Sequence, residues 1–212
     1  MNRVAVIDYG MGNLHSITKA LQHADGDARV VVTAEAGAIL AADRVVFPGV
    51  GAIADCMRAL TRLGLVEVIH EIAATRPLLG ICLGMQALLD HSEEGGGVHC
   101  LGILPGTVVR FPPGLRDERG NVLKIPHMGW NQVYPTKSHP LWSGIADGSR
   151  FYFVHSYYAR PERSEDIAAT SNYPRPFACA LARDNLFAVQ FHPEKSQRVG
   201  LQLLKNFLHW SP

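Results

Sequence analysis

From Arg3 to Leu89, short apolar runs take turns with stretches whose apolar residues recur every three or four positions. Arg3 to Asp8 is such a run and breaks at Tyr9-Gly10-Met11-Gly12-Asn13. Leu14, Ile17 and Leu21 then fall on one face of a predicted helix. Ala28 to Thr33 and Arg44 to Phe47 read as two further strands, the second ending in Pro48-Gly49-Val50-Gly51 before a helix over Ala52 to Leu60. Leu65, Val68, Ile69 and Ile72 mark another helix, Pro77-Leu78-Leu79 another buried strand, and Met85 to Leu89 the opening of a helix. Strand and helix alternating in this way predict a parallel sheet covered on both faces.

Beyond Asp90 the rhythm changes. His91 to Gly97 is polar and glycine-rich, a predicted loop. After it come short β-like runs at Gly106 to Phe111, Val122 to Ile125, Trp130 to Val133, Phe151 to Tyr158, Ile167 to Thr170, Phe177 to Leu181 and Leu186 to Phe191. Turn signals such as Pro112-Pro113-Gly114 and Tyr173-Pro174-Arg175-Pro176 separate them, which predicts a smaller, largely antiparallel or mixed β portion. Gln197 to Trp210 closes the chain as a helix with Leu201, Leu204 and Leu208 on one face. No linker, repeat or low-complexity segment interrupts residues 1–212, so a single domain is expected.

The chemistry gathers where the fourth strand meets its helix. Gly80-Ile81-Cys82-Leu83-Gly84 is the cysteine counterpart of a Gly-x-Ser-x-Gly nucleophile elbow. Its glycines allow close backbone approach or positive φ, and a cysteine lifted to a helix N-terminus sits where free N–H groups favour negative charge. A buried structural cysteine is the competing reading. Such a nucleophile needs a base and a group to orient it. Val189-Gln190-Phe191-His192-Pro193-Glu194 offers both, with His192 at a strand end and Glu194 two residues on. The Gly-Val-Gly turn at Gly49 to Gly51 exposes backbone N–H groups suited to an oxyanion. Gly10-Met11-Gly12 lacks the third glycine and following acid of a dinucleotide fingerprint.

Composition narrows the classes further. A formal charge of +1 with scattered Lys and Arg gives no footprint for nucleic acid or a membrane surface. The four cysteines lie far apart, and none of the ten histidines forms a close ligand pair, so no metal is expected. The N-terminal residues lack the apolar core of a secretory signal, which leads us to expect a cytoplasmic protein with free thiols.

Gly-Ile-Cys-Leu-Gly-Met-Gln together with Phe-His-Pro-Glu resembles the triad, class I glutamine amidotransferase family over essentially the whole chain. The resemblance implies a flavodoxin-like three-layer α/β sandwich that hydrolyses L-glutamine without a cofactor. Cys82 would be the nucleophile, His192 the base and then acid, and Glu194 the orienting carboxylate. Leu83 and the Gly49-Val50 peptide would hold the oxyanion, while Gln86, Glu94, Ser156 and Tyr157 would recognise the amino-acid end of glutamine. Capping, solvated-loop or ordinary strand roles are the alternatives for the last four. Ile7-Asp8-Tyr9-Gly10-Met11-Gly12-Asn13-Leu14, Pro48-Gly49-Val50-Gly51, Pro126-His127-Met128-Gly129-Trp130-Asn131, Tyr152 to Tyr157 and His192 to Gln197 are together similar to the branch of the family that serves imidazole glycerol phosphate synthesis. That branch implies a separate (β/α)₈ cyclase subunit in a heterodimer, with Asn13, Trp130 and Lys195 near the contact. The branches serving anthranilate, pyridoxal phosphate or carbamoyl phosphate synthesis stay open as alternatives, as does a cysteine hydrolase of similar fold. The chain departs from the usual pattern at Ile53, commonly Phe, and at Cys100, commonly Gly.

Overall fold

The computed structural model describes residues 3–212. Five apolar runs form its centre: β1 (Arg3–Ile7), β2 (Arg29–Thr33), β3 (Arg44–Gly49), β4 (Leu78–Cys82) and, from far along the chain, β13 (Leu186–Val189). They pair in the order β2-β1-β3-β4-β13, all parallel, so their carboxyl ends share one edge. A parallel strand needs a crossover, and the intervening helices α1 (Leu14–Ala24), α2 (Ala36–Leu40), α3 (Ile53–Arg62) and α4 (Leu65–Thr75) supply it. Alternation along each strand then splits the core. Val4, Val6, Val46, Leu79 and Ile81 pack towards α1 and α6 (Gln197–His209), whereas Ala5, Ile7, Val45, Phe47 and Leu78 pack towards α2, α3 and α4. The result is a three-layer sandwich with helices on both faces of a mixed sheet.

The later runs extend and flank that sheet. β5 (His91–Ser92), β6 (Val98–His99), β7 (Gly106–Arg110), β10 (Tyr157–Pro161) and β12 (Pro176–Arg183) continue it as β13-β12-β10-β7-β5-β6. β8 (His127–Pro135), β9 (Ser149–His155) and β11 (Ile167–Asn172) branch from β12 as the smaller antiparallel portion. Phe151, Phe153, Phe177 and Phe191 fill the space between that portion and the main sheet. The strand expected over Phe151 to Tyr158 divides at Ser156, and Val122 to Ile125 contributes only a bridge from Val122 to Arg116. Polar turn chemistry dominates there: Asp117 ties Arg119 and Asn121 into a closed loop.

The run at Leu186, expected within the antiparallel or mixed portion, joins that portion to the parallel centre. It lies between β12 and β4, antiparallel to the first and parallel to the second. Its four residues are all buried, which is the signature of a central strand covered on both faces. This insertion next to β4 is the topological step on which the site depends. Among the described residues, no helix is long and apolar enough to cross a membrane.

Candidate active site

Cys82 is the last residue of β4, and α5 (Leu83–Ala87) begins immediately after it. The helix therefore opens two residues earlier than the periodicity at Met85 predicts. The left-handed conformation in the elbow belongs to Cys82 itself, at φ 54°, and not to a glycine. The two glycines serve closeness. A Cβ on Gly84 would lie 2.0 Å from the Phe47 carbonyl oxygen, and one on Gly80 would lie 3.0 Å from Leu88 Cδ1. A strained non-glycine φ costs on the order of 1–3 kcal/mol and persists only where the surroundings over-determine it. Here the flanking glycines let β3 and α5 clamp the turn.

The Pro48-Gly49-Val50-Gly51 turn leaves β3 beside this elbow, with Gly49 paired in register to Cys82. A Cβ on Gly49 would stand 2.4 Å from Tyr9 Oη and 2.8 Å from Leu83 Cβ, so no side chain fits between them. Tyr9, buried at the end of β1, donates its hydroxyl to the Pro48 carbonyl at 3.0 Å and pins the start of the turn. Burial pushes the Tyr9 phenol far up, which keeps it a neutral donor. Val50 is exposed and lines the cleft, as does Gly51. The opening of α3 faces the same region: the Ile53 N–H donates to Glu94 Oε2 at 3.1 Å.

His192 arrives from the end of β13 on a short turn, Pro193–Lys195. That turn folds Glu194 back so that His192 Nδ1 and Glu194 Oε1 are 2.9 Å apart, with both side chains almost fully buried. Ser196 fastens the segment: its hydroxyl donates to the His192 carbonyl at 2.6 Å and accepts the Tyr152 N–H at 3.0 Å. Gly200 lets α6 press close, since a Cβ there would sit 1.9 Å from the Pro193 carbonyl oxygen. His192 Nε2 has no partner of hydrogen-bond geometry and lines the same cleft as Cys82. Burial alone draws the imidazole down, but its interactions with the Cys82 sulfur and the Glu194 carboxylate outweigh that and raise it to about 10. An imidazolium is thereby held beside the sulfur.

The cleft measures about 280 Å³, an amino-acid-sized space and not a macromolecular groove. Cys82, Leu83, Gln86, Glu94, Ser156, Tyr157, His192 and Val50 all line it, with Gly49 beneath and Glu194 behind His192. The structure thus gathers the residues expected from the sequence for catalysis, oxyanion binding and substrate recognition. Gln86 is partly committed already: its Nε2 donates to the Tyr157 carbonyl and to Gln190 Oε1, each at 3.0 Å. Asn13, Trp130 and Lys195 do not line the cleft. Asn13 precedes α1 at the carboxyl edge of the sheet. Trp130 and Lys195 meet through Tyr152, whose ring is 6.0 Å from that of Trp130 and 5.9 Å from Lys195 Nζ.

Two polar groups at the cleft lie within segments that the sequence marks, yet the sequence gives them no role. Gln190 is fully buried, and its Nε2 lies 3.7 Å from Cys82 Sγ. A polar residue inside the apolar run Leu186 to Phe191 was the available signal. His155 also lines the cleft, 2.9 Å from His127 Nδ1 through its Nε2 and 2.8 Å from the Tyr157 carbonyl through its Nδ1. Burial lowers His127 to about 4 and His155 to about 3, so the pair is neutral at neutral pH.

The chain resembles known proteins along its full length. The family model for class-I glutamine amidotransferases matches residues 5–210. The imidazole glycerol phosphate synthase subunit HisH of Methylococcus capsulatus is 64% identical over 213 residues, covering 100% of this chain and 98% of that protein. The protein of the same name from Nitrosococcus oceani is 59% identical, covering 100% and 99%. Among solved structures, one of a glutamine amidotransferase superposes with a TM-score of 0.71 at 16% identity, covering 97% of each chain. PurLQS of Thermotoga maritima gives 0.69 at 16%, covering 98% of each. At those identities the two structures speak for the fold alone.

Proposed function

The chain belongs to the class-I glutamine amidotransferase family, and from that premise we propose that it is the glutaminase subunit of an imidazole glycerol phosphate synthase in histidine biosynthesis. The observation that carries the reading is the buried 2.9 Å pair of His192 and Glu194 set in one small cleft with the elbow cysteine. In this reading Cys82 attacks the carboxamide carbon of glutamine as a thiolate. The oxyanion that forms is held by the Leu83 N–H and by the Gly49-Val50 peptide, at the mouth of a helix and a glycine turn. His192, kept protonated by its neighbours, gives its proton to the departing ammonia as the C–N bond breaks, leaving a γ-glutamyl thioester. The neutral imidazole then takes a proton from water, the resulting hydroxide equivalent displaces sulfur, and glutamate leaves with the thiolate and imidazolium restored. Glu194 holds the imidazole by Nδ1 so that Nε2 is the atom that exchanges protons.

Gln86, Glu94, Ser156 and Tyr157 hold the amino-acid end of the substrate. Ammonia passes to a separate cyclase, a (β/α)₈ barrel that pairs with this chain as a heterodimer and closes an imidazole ring on a phosphorylated ribulosyl intermediate. Asn13, Trp130 and Lys195 lie towards that partner. Half-exposed Trp130 on the outer surface of β8, beside exposed Met128, supports this, because aromatic and Met side chains anchor interfaces. Four unbridged cysteines, one of them the nucleophile, fit a reducing cytoplasm. The test is glutamine hydrolysis by the chain alone, with the cyclase, and with the cyclase plus its ribulosyl ligand. Hydrolysis that rises strongly only with both supports the assignment. Hydrolysis indifferent to that partner moves the chain to another amidotransferase system.

A further inference from the structure

Gln190 occupies a place that neither the catalytic triad nor substrate recognition accounts for, and the order of polar atoms around it is fixed from one end. The Tyr157 carbonyl can only accept, and it faces Gln86 Nε2 at 3.0 Å. Gln86 therefore presents its NH₂ group, and the same nitrogen faces Gln190 at 3.0 Å, so that Gln190 must present its oxygen there. Turning either amide would set two acceptors or two donors against each other in a site that holds no exposed surface at Gln190. The remaining end of Gln190 is consequently a donor, and its Nε2 points at Cys82 Sγ from 3.7 Å. The Tyr157 carbonyl is held in turn by the His155 Nδ1–H at 2.8 Å.

We propose that Gln190 is a positioning residue for the nucleophile: its fixed amide donor sets the direction of the Cys82 side chain and makes the sulfur an acceptor, which favours the thiolate. Only a sulfur lone pair satisfies that N–H, and a negative sulfur satisfies it best. The donor sits one residue past β13, the neighbouring parallel strand, whereas the ring of His192 approaches from the turn beyond it. The Gln190 donor restrains a side chain that the positive φ of Cys82 alone would leave free to rotate. The inference rests on Cys82 being the reactive group of the proposed function, but it concerns the sulfur and not the identity of the substrate.

The test is the rate at which iodoacetamide modifies Cys82 across pH 5 to pH 10, read on the Cys82 peptide by mass spectrometry so that Cys100 does not contribute. The full-length chain is compared with Gln190→Met, which removes the donor, and Gln190→Glu, which keeps an acceptor for Gln86 but turns an acceptor towards sulfur. His155, His192, Tyr9, Tyr157, Glu94 and Glu194, the other titratable groups around the cleft, are unchanged in both. We expect the half-maximal point to move up by about one pH unit in Gln190→Met and further in Gln190→Glu, with alkylation at pH 7 slowed about tenfold. A half-maximal point that stays put in folded variants overturns the proposal, because a merely structural role would lower stability without moving it. Should the variants not fold, the unsubstituted chain decides. The ¹⁵N-edited side-chain amide signal of Gln190 is expected to shift along with the alkylation profile, and a signal indifferent to the thiol overturns the proposal. Neither measurement uses glutamine or a partner, so absent glutaminase activity would sink the proposed function and leave this inference standing.

Discussion

Val189 of β13 lies directly opposite Ile81 of β4 in parallel register. The residues that follow them, Gln190 and Cys82, stand side by side at the carboxyl edge of the sheet, and His192 comes two positions later at the same edge. In open parallel sheets the carboxyl edge is where the strands end and loops are free to carry chemistry. The juxtaposition of elbow and His-Pro-Glu turn is a consequence of that one pairing.

The elbow depends on contact without side chains. We expect Gly84→Ala to destabilise the chain by about 3 kcal/mol and to lower Tm by about 6–12 °C, because its Cβ would overlap the Phe47 carbonyl, a backbone atom that cannot swing aside. Gly37→Ala is the control: that Cβ meets nothing within 4 Å and lies inside α2, so thermal unfolding should show a gain of about 0.5–1 kcal/mol. A Gly84→Ala protein as stable as the parent would mean that β3 and α5 are not clamped as described.

Cys82→Ala is expected to lower glutamine hydrolysis at least ~10³-fold while the substituted chain still binds the cyclase with unchanged affinity. Steady-state ammonia release and a pull-down titration read the two halves separately. Residual hydrolysis near the parental rate would remove Cys82 from the mechanism.

The His192–Glu194 pair predicts the alkaline side of the pH profile. With His192 raised to about 10, the proton that ammonia needs is present at neutral pH and is lost only as pH rises through that value. Glu194→Gln removes the charge that helps hold it, so the alkaline limb of kcat should move down towards neutrality, with kcat reduced on the order of 10²–10⁴-fold. The linkage to stability has the same sign. A histidine raised from its unfolded value near 6.5 contributes stability that is complete below about 6.5 and disappears as pH rises through about 10.

His127 and His155 act in the opposite sense. Both are lowered by burial, so their contribution is complete above about 6.5 and is lost as pH falls through about 4 and about 3. Denaturant unfolding measured between pH 7 and pH 4 should therefore show falling stability, and His127→Phe should flatten that slope. His127 stacks on Tyr173 with ring centroids 4.0 Å apart, so an aromatic replacement retains part of its packing. An identical slope in the variant would exclude the buried pair as its source.

Trp130→Ala is expected to weaken association with the cyclase by about 2 kcal/mol, about 30-fold in Kd, and to leave the thermal unfolding of the free chain nearly unchanged. Calorimetry of binding against thermal unfolding separates an interface anchor from a core residue. Lost stability with retained affinity would return Trp130 to the core.

The local elements around the site are written in neighbouring residues. The periodicities at Leu14, Leu65 and Gln197 make helices, the run at Arg3 makes a strand, and the glycine spacing around Cys82 marks an elbow, because 3.6- and 2-residue periods and steric room are properties of short stretches of chain. His192 and Glu194 were legible for the same reason, being two residues apart. Three things waited on the folded molecule. Which strand lies beside β4 could not be read from Leu186 to Val189, since a fully buried run is apolar whether its neighbours run parallel or antiparallel, and pairing couples residues more than a hundred positions apart. The positive φ fell on Cys82 and not on a glycine, because the packing of Gly84 against Phe47 and not local preference decides where the turn bends. Gln190 became meaningful only when Tyr157, Gln86 and Cys82 surrounded it, for a hydrogen-bond donor acquires a direction from the groups that the fold brings to it.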